Sequence, residues 1–192
     1  IATKLMGQNV IVQNIAGASG MIGSQKVRTS PPDGYTLLIS RGGSQAITPA
    51  LDSTTPYKWN DFTFISLLDF NPVVCVVKPD APYKNMKDLI AAIKASPGKL
   101  NYATAGAGTT QHLAVEVVLR DVGLTSAAAT MIPYKGGGQA TTALLGGEVD
   151  FLCNNLTTIT GQIKGNAMRP LVTSTPTRLK DFPNILAPFR QV

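Results

Sequence analysis

The chain has 192 residues, of which 44% are hydrophobic, 15% charged and 6% aromatic, and its 17 Lys and Arg outnumber 11 Asp and Glu to give a net charge of +6. That is enough apolar material for a real core, but no run nears the roughly 18 apolar residues needed to cross a bilayer. The cations are scattered from Lys4 to Arg190 without a run of three or interleaved aromatics, which argues against nucleic-acid binding and for a diffuse field that favours small anions.

Strand and helix signals alternate along the chain. IATKLMGQ lacks an initiator Met and reads as the last turn of an amphipathic helix, so the missing signal peptide says nothing about location. NVIVQN (9–14) predicts a strand, GASGMIGSQKVRTS (17–30) a turn and a short helix, and YTLLIS (35–40), after the PPDG turn, a second strand. RGGSQAITPAL (41–51) is a Gly-rich loop leading into a short helix. FTFISLL (62–68) and PVVCVVK (72–78) are strands, the latter an unbroken apolar run typical of burial on both faces.

Beyond Pro79–Pro82, NMKDLIAAIKASP places Met86, Leu89, Ile90 and Ile93 at helical spacing. A strand at 101–105 with its helix, a strand at 130–135 and a helix near 138–145 follow. A strand at 149–154, a helix near 156–164 and a strand at 169–175 complete the pattern. Short loops between alternating elements predict a mostly parallel α/β sheet. Changes of rhythm near Lys78–Pro82 and Thr173–Pro176 mark domain crossings, giving one unit at 79–175 and another from 1–78 with 176–192.

The most informative stretch is YATAGAGTTQHLA (102–114). A strand enters a turn that Gly106 and Gly108 permit, and Thr109 or Thr110 is a natural N-cap for the following helix. Such a turn is expected to aim unpaired N–H groups and the helix dipole at one point, an anion site without a catalytic residue. A dinucleotide fingerprint fits poorly, because Gln111 stands where the third Gly belongs.

Nucleophilic chemistry has little support: there is no G-x-S-x-G, and the single histidine, His112, has no triad partner beside it. Two readings stand for His112, a structural histidine bonding a carbonyl or an orienter of the loop. Cys75 and Cys153 lie in apolar runs and read as buried small hydrophobes, a pattern that is neither a disulfide framework nor a metal cluster and leaves their pairing open. Glu116 and Asp121 read as solvated, and Trp59 as core packing. No metal site and no cofactor is expected.

GQNVIVQNIAGASGMIG, PPDGYTLL, YATAGAGTTQHLA and IPYKGGGQATTALLGGEVDFL occur in the order and spacing of the Bug/TctC family, and the chain resembles that family from residue 1 to about 184. The resemblance implies a type II periplasmic-binding-protein-like α/β fold of two domains joined by crossover strands. It also implies a periplasmic, monomeric, non-enzymatic receptor that gives a small organic carboxylate to the membrane permease of a tripartite tricarboxylate transporter. Carried onto this sequence, ligand contacts fall at Thr104, Gly106, Gly108, Thr109, Thr110 and His112. Further contacts fall at Gly136 and Gly137 in the Tyr134–Gly138 loop, at Asn154, and at Ser44 and Gln45 from domain one.

Family members are longer, so domain one is expected to be incomplete here, lacking an amino-terminal Pro/Gly-rich clamp loop and its returning strands. A family Asp near Asn154 is an Asn in this chain, removing a negative charge. Two rival functions stay in view: a ligand sensor of a signalling system, and a small nucleotide-using α/β enzyme.

Overall fold

A computed structural model describes residues 2–187, organised around one five-stranded sheet. The strands are β1 (Val73–Val77), β2 (Asn101–Thr104), β3 (Thr130–Pro133), β4 (Phe151–Asn155) and β5 (Arg169–Thr173), in spatial order β3-β2-β4-β1-β5. β2 runs parallel to β3 and β4, whereas β1 is antiparallel to both β4 and β5. The mostly parallel sheet is therefore mixed, with β1 as its reversed strand. β1 lies on the amino-terminal side of the crossing read near Lys78, yet it is an interior strand of this sheet.

Alternation along β1 builds two cores. Val73, Cys75 and Val77 face one, with α4 (Met86–Ala95) and α5 (Thr110–Asp121); Val74 and Val76 face the other, with α6 (Gly137–Gly146) and α7 (Leu156–Lys164). All five residues are buried, as a strand covered by helices on both faces requires. Helix α4 starts at a capping box in which Asn85 Oδ1 accepts the Asp88 amide at 3.0 Å and Asp88 Oδ2 accepts that of Asn85. Its Met86, Leu89, Ile90 and Ile93 are buried on the stripe their spacing predicts.

The two cysteines are more than small hydrophobes. The β1–β4 register sets Cys75 opposite Cys153, and the two are joined in a disulfide. Residues 78 apart in sequence reveal such a pairing only once the register is known.

Before β1 the sequence expectations fare worse. Helices α1 (Ala2–Met6), α2 (Met21–Arg28) and α3 (Thr48–Leu51) form, the last after one π-type turn at Gly43–Ile47. The predicted strands 9–14, 35–40 and 62–68 pair with nothing among the described residues. Ile11, Ile39 and Leu67 are each about four-fifths exposed, and Trp59, expected in a core, is 63% exposed. β-branched and aromatic composition describes how well a segment fits a neighbouring strand, and without that neighbour it makes no ladder.

Candidate functional site

The carboxyl ends of β2, β3 and β4 present a cluster of loops where an open α/β sheet carries its ligand. After β2 the chain turns through Gly106 (φ 116°) and Gly108 (φ 75°), conformations that favour glycine, and enters α5. Thr109 is the N-cap: its Oγ1 accepts the His112 amide and donates to the Gly106 carbonyl at 2.7 Å.

The turn does not hold out as many free amides as its composition suggests. Gly106 N–H donates to Thr104 Oγ1 at 2.9 Å, Gly108 N–H to His112 Nδ1 at 3.2 Å, and Thr109 N–H to the Gly106 carbonyl. The amides of Ala107, Thr110 and Gln111 have no partner among the described residues, and the last two open the positive end of α5. Thr104 and Thr109, both buried, therefore shape the loop from within.

Asn154 is also internal. It is completely buried, with Oδ1 accepting from Gln111 Nε2 and the Asn155 amide, and Nδ2 donating to the Gly137 carbonyl and Thr141 Oγ1. All four capacities of its amide are used within the protein, and the side chain ties the start of α5 to the start of α6. Gly137 is glycine because a Cβ there would lie 3.0 Å from Asn154 Oδ1 and 3.2 Å from Gln111 Nε2. Gly136, extended at φ 178°, is the N-cap of α6 and has open space beside it.

From the amino-terminal region two segments reach this loop. A Cβ on Gly43 would be 3.5 Å from Thr109 Cα and Thr110 N, and one on Gly108 would be 3.4 Å from Thr48 Oγ1. Ser44 lies in the same turn, its hydroxyl on the Arg41 carbonyl and its own carbonyl accepting from Tyr57. Gln45 is buried and turned toward α2, where Nε2 donates to Ser24 Oγ at 2.8 Å. Gln45 Oε1 and Thr48 Oγ1 are buried without a partner among the described residues.

Sequence reasoning passed over Ser19, whose hydroxyl donates to the Ala107 carbonyl at 2.7 Å. Ser19 and Ala18 hold φ of 54° and 44° between two glycines that are also positive, a strained turn that costs roughly 1–3 kcal/mol per residue and persists where surroundings enforce it. The two glycines of GASG were the available signal. Glu116, expected to be solvated, is half-buried and engaged by His112 Nε2 at 3.5 Å and by the Ser126 hydroxyl. Burial pushes the neighbouring Tyr102 phenol above its ordinary value, and the Glu116 carboxylate adds to the shift.

Helices on both faces of a mixed sheet, with two amino-terminal segments closing over the turn after β2, define a periplasmic-binding-protein type of fold. The chain matches the family model for the tripartite tricarboxylate transporter family receptor over residues 1–189, and it belongs to that family, TctC/Bug. It is 37% identical over 183 residues to the protein BugT of Bordetella pertussis, covering 94% of this chain and 55% of that one. Among solved structures, Rhodopseudomonas palustris Rpa4515 with adipate superposes with a TM-score of 0.90 at 28% identity, covering 96% of this chain and 61% of that one. R. palustris MatC with bound malate gives 0.88 at 26%, covering 95% and 62%. The chain spans about half the length of the curated relatives it matches.

Proposed function

We propose that this chain is the ligand-binding part of a periplasmic solute receptor that captures a small organic carboxylate for a tripartite tricarboxylate transporter and performs no chemistry on it. The observation that carries this is the start of α5, where the amides of Thr110 and Gln111 are unpartnered among the described residues and Gly43 of the amino-terminal region approaches the first of them. A carboxylate there would meet N–H donors and the helix dipole, with Thr109, Ser19 and Thr48 around it.

Charge supports the same sign of ligand. The segments 17–20, 40–51, 104–112 and 134–138 contain Arg41 and Lys135 and no Asp or Glu. Malate and adipate in the two neighbouring structures suggest a dicarboxylate as the first probe. A buried disulfide suits an oxidising compartment such as the periplasm, and no helix among the described residues is long and apolar enough to cross a membrane. In this proposal residues 1–78 with 176–192 form one unit and 79–175 the other, with β1 and β5 as the crossings. Closure of the two units over the ligand would create the surface read by the permease.

Titration calorimetry with malate, adipate and a nucleotide tests the proposal: a saturable signal with a carboxylate and none with the nucleotide is expected. Gly108→Val should abolish that signal, because the left-handed backbone disfavours a β-branched residue and a Cβ there already touches Thr48, leaving the valine methyls to displace the turn. Unchanged affinity in a folded Gly108→Val protein would refute the placement of the site.

A further inference from the structure

Gly108 N–H faces a nitrogen that must carry a lone pair, since a donor approaches His112 Nδ1 at 3.2 Å. In the neutral ring the proton then belongs on Nε2, and Nε2 faces Glu116 Oε1 at 3.5 Å. An ionised carboxylate only accepts, so Glu116 selects that tautomer. Glu116 is itself held by the Ser126 hydroxyl. The series Ser126, Glu116, His112, Gly108 thus runs from the exposed segment after α5, along that helix, into the turn beside the unpartnered amides.

We propose that His112 is the positioning residue of this turn: as the Nε2–H tautomer it clamps the Gly108 amide, keeps Gly106–Thr109 shaped around the amides of Thr110 and Gln111, and releases the turn when the imidazole is protonated. The proposal rests on the receptor function given above and adds a regulation of the same site. Gly108 is buried, so losing its acceptor leaves an unsatisfied N–H. Protonation does more than remove the acceptor, because it sets Nδ1–H against the Gly108 N–H, donor to donor.

The titratable groups facing the imidazole are few. Glu116 lies on its own helix, and Tyr102 on β2 lies behind Glu116. The turn 104–110, the segment 125–129 and the amino-terminal segments 17–20 and 43–51 carry no titratable side chain. The imidazole and its Glu116 partner are therefore the ionisable pair at the turn.

Three proteins test this: the wild type, His112→Leu, and His112→Asn, whose Oδ1 can stand where Nδ1 does. Amide exchange at Gly108 without ligand, imidazole nitrogen shifts, and affinity for malate and adipate from about pH 8 to pH 5 are the readouts. Expected are a pyrrole-like Nε2 and a pyridine-like Nδ1 in the wild type, faster Gly108 exchange and about tenfold weaker binding in His112→Leu, and recovery of both in His112→Asn. Wild-type affinity should fall more steeply on acidification than that of His112→Asn, whose profile follows only the protonation of the probe's own carboxylates. The proposal is overturned by unchanged Gly108 exchange in His112→Leu, by an Asn variant no better than Leu, or by parallel pH profiles. If the wild type binds neither probe, the receptor function fails, and the exchange and nitrogen shifts still decide the role of the histidine.

Discussion

Residues 73–173 and residues 2–72 carry the same kinds of sequence signal and reach different ends. In the first stretch VVCVV becomes an interior strand with every side chain buried. In the second, NVIVQN, YTLLIS and FTFISLL have similar composition and no ladder partner among the described residues. The apolar side chains behave accordingly: Leu152 has no exposure, while Leu67 is 83% exposed. The contrast shows that a strand is a property of a pair, and that β-rich composition states only a capacity to pair.

The largest expected effect lies in the stretch that holds the sheet. Opening the Cys75–Cys153 bond by Cys→Ala at both positions frees a loop of 78 residues, for which chain entropy gives ~4.5 kcal/mol. Thermal unfolding of 73–173 should drop steeply while amide exchange in 2–72 changes little; an equal response in both stretches would mean that they fold as one cooperative unit. A paired comparison comes next. Leu152→Ala should cost about 2–5 kcal/mol for the lost contacts and the cavity, and Leu67→Ala should lie within about 0.5 kcal/mol. A large cost at Leu67 would show that 62–68 finds a partner in solution.

The physical reason for what was legible follows from these cases. Local periodicity identified α4, α5, α6 and α7 because a helix satisfies its own backbone. The GAGTT turn was legible as a turn, since positive φ and an N-cap threonine are local requirements that Gly106, Gly108 and Thr109 meet. Its donors were not, because three amides are taken by Thr104 Oγ1, His112 Nδ1 and the Gly106 carbonyl, and two of those partners are side chains whose direction composition does not encode. The partners of Asn154 were hidden for the same reason: its four hydrogen bonds come from α5, α6 and its own strand. Ser19 required knowing that a loop 88 residues away would face it.

The smallest expected effect sharpens the comparison from the amino-terminal side. Helix α2 is tied to the segment 58–61 by Arg28 Nε and Asp61 Oδ2 at 2.7 Å. The hydrogen bond from Arg28, then that from the Lys58 amide, holds the Asp61 carboxyl below its ordinary value of 3.8. A carboxyl lowered in the folded state stabilises above its unfolded value, and that contribution disappears as pH falls through the folded one. The pair is exposed to solvent and salt, so its contribution is slight. Arg28→Gln should therefore speed amide exchange in 21–28 modestly at neutral pH, with the difference shrinking in added salt and vanishing in acid well below 3.8. A difference that persists in acid would mean that Arg28 holds α2 by packing its stem and not by its charge, and would place this contact with the buried ties of 73–173.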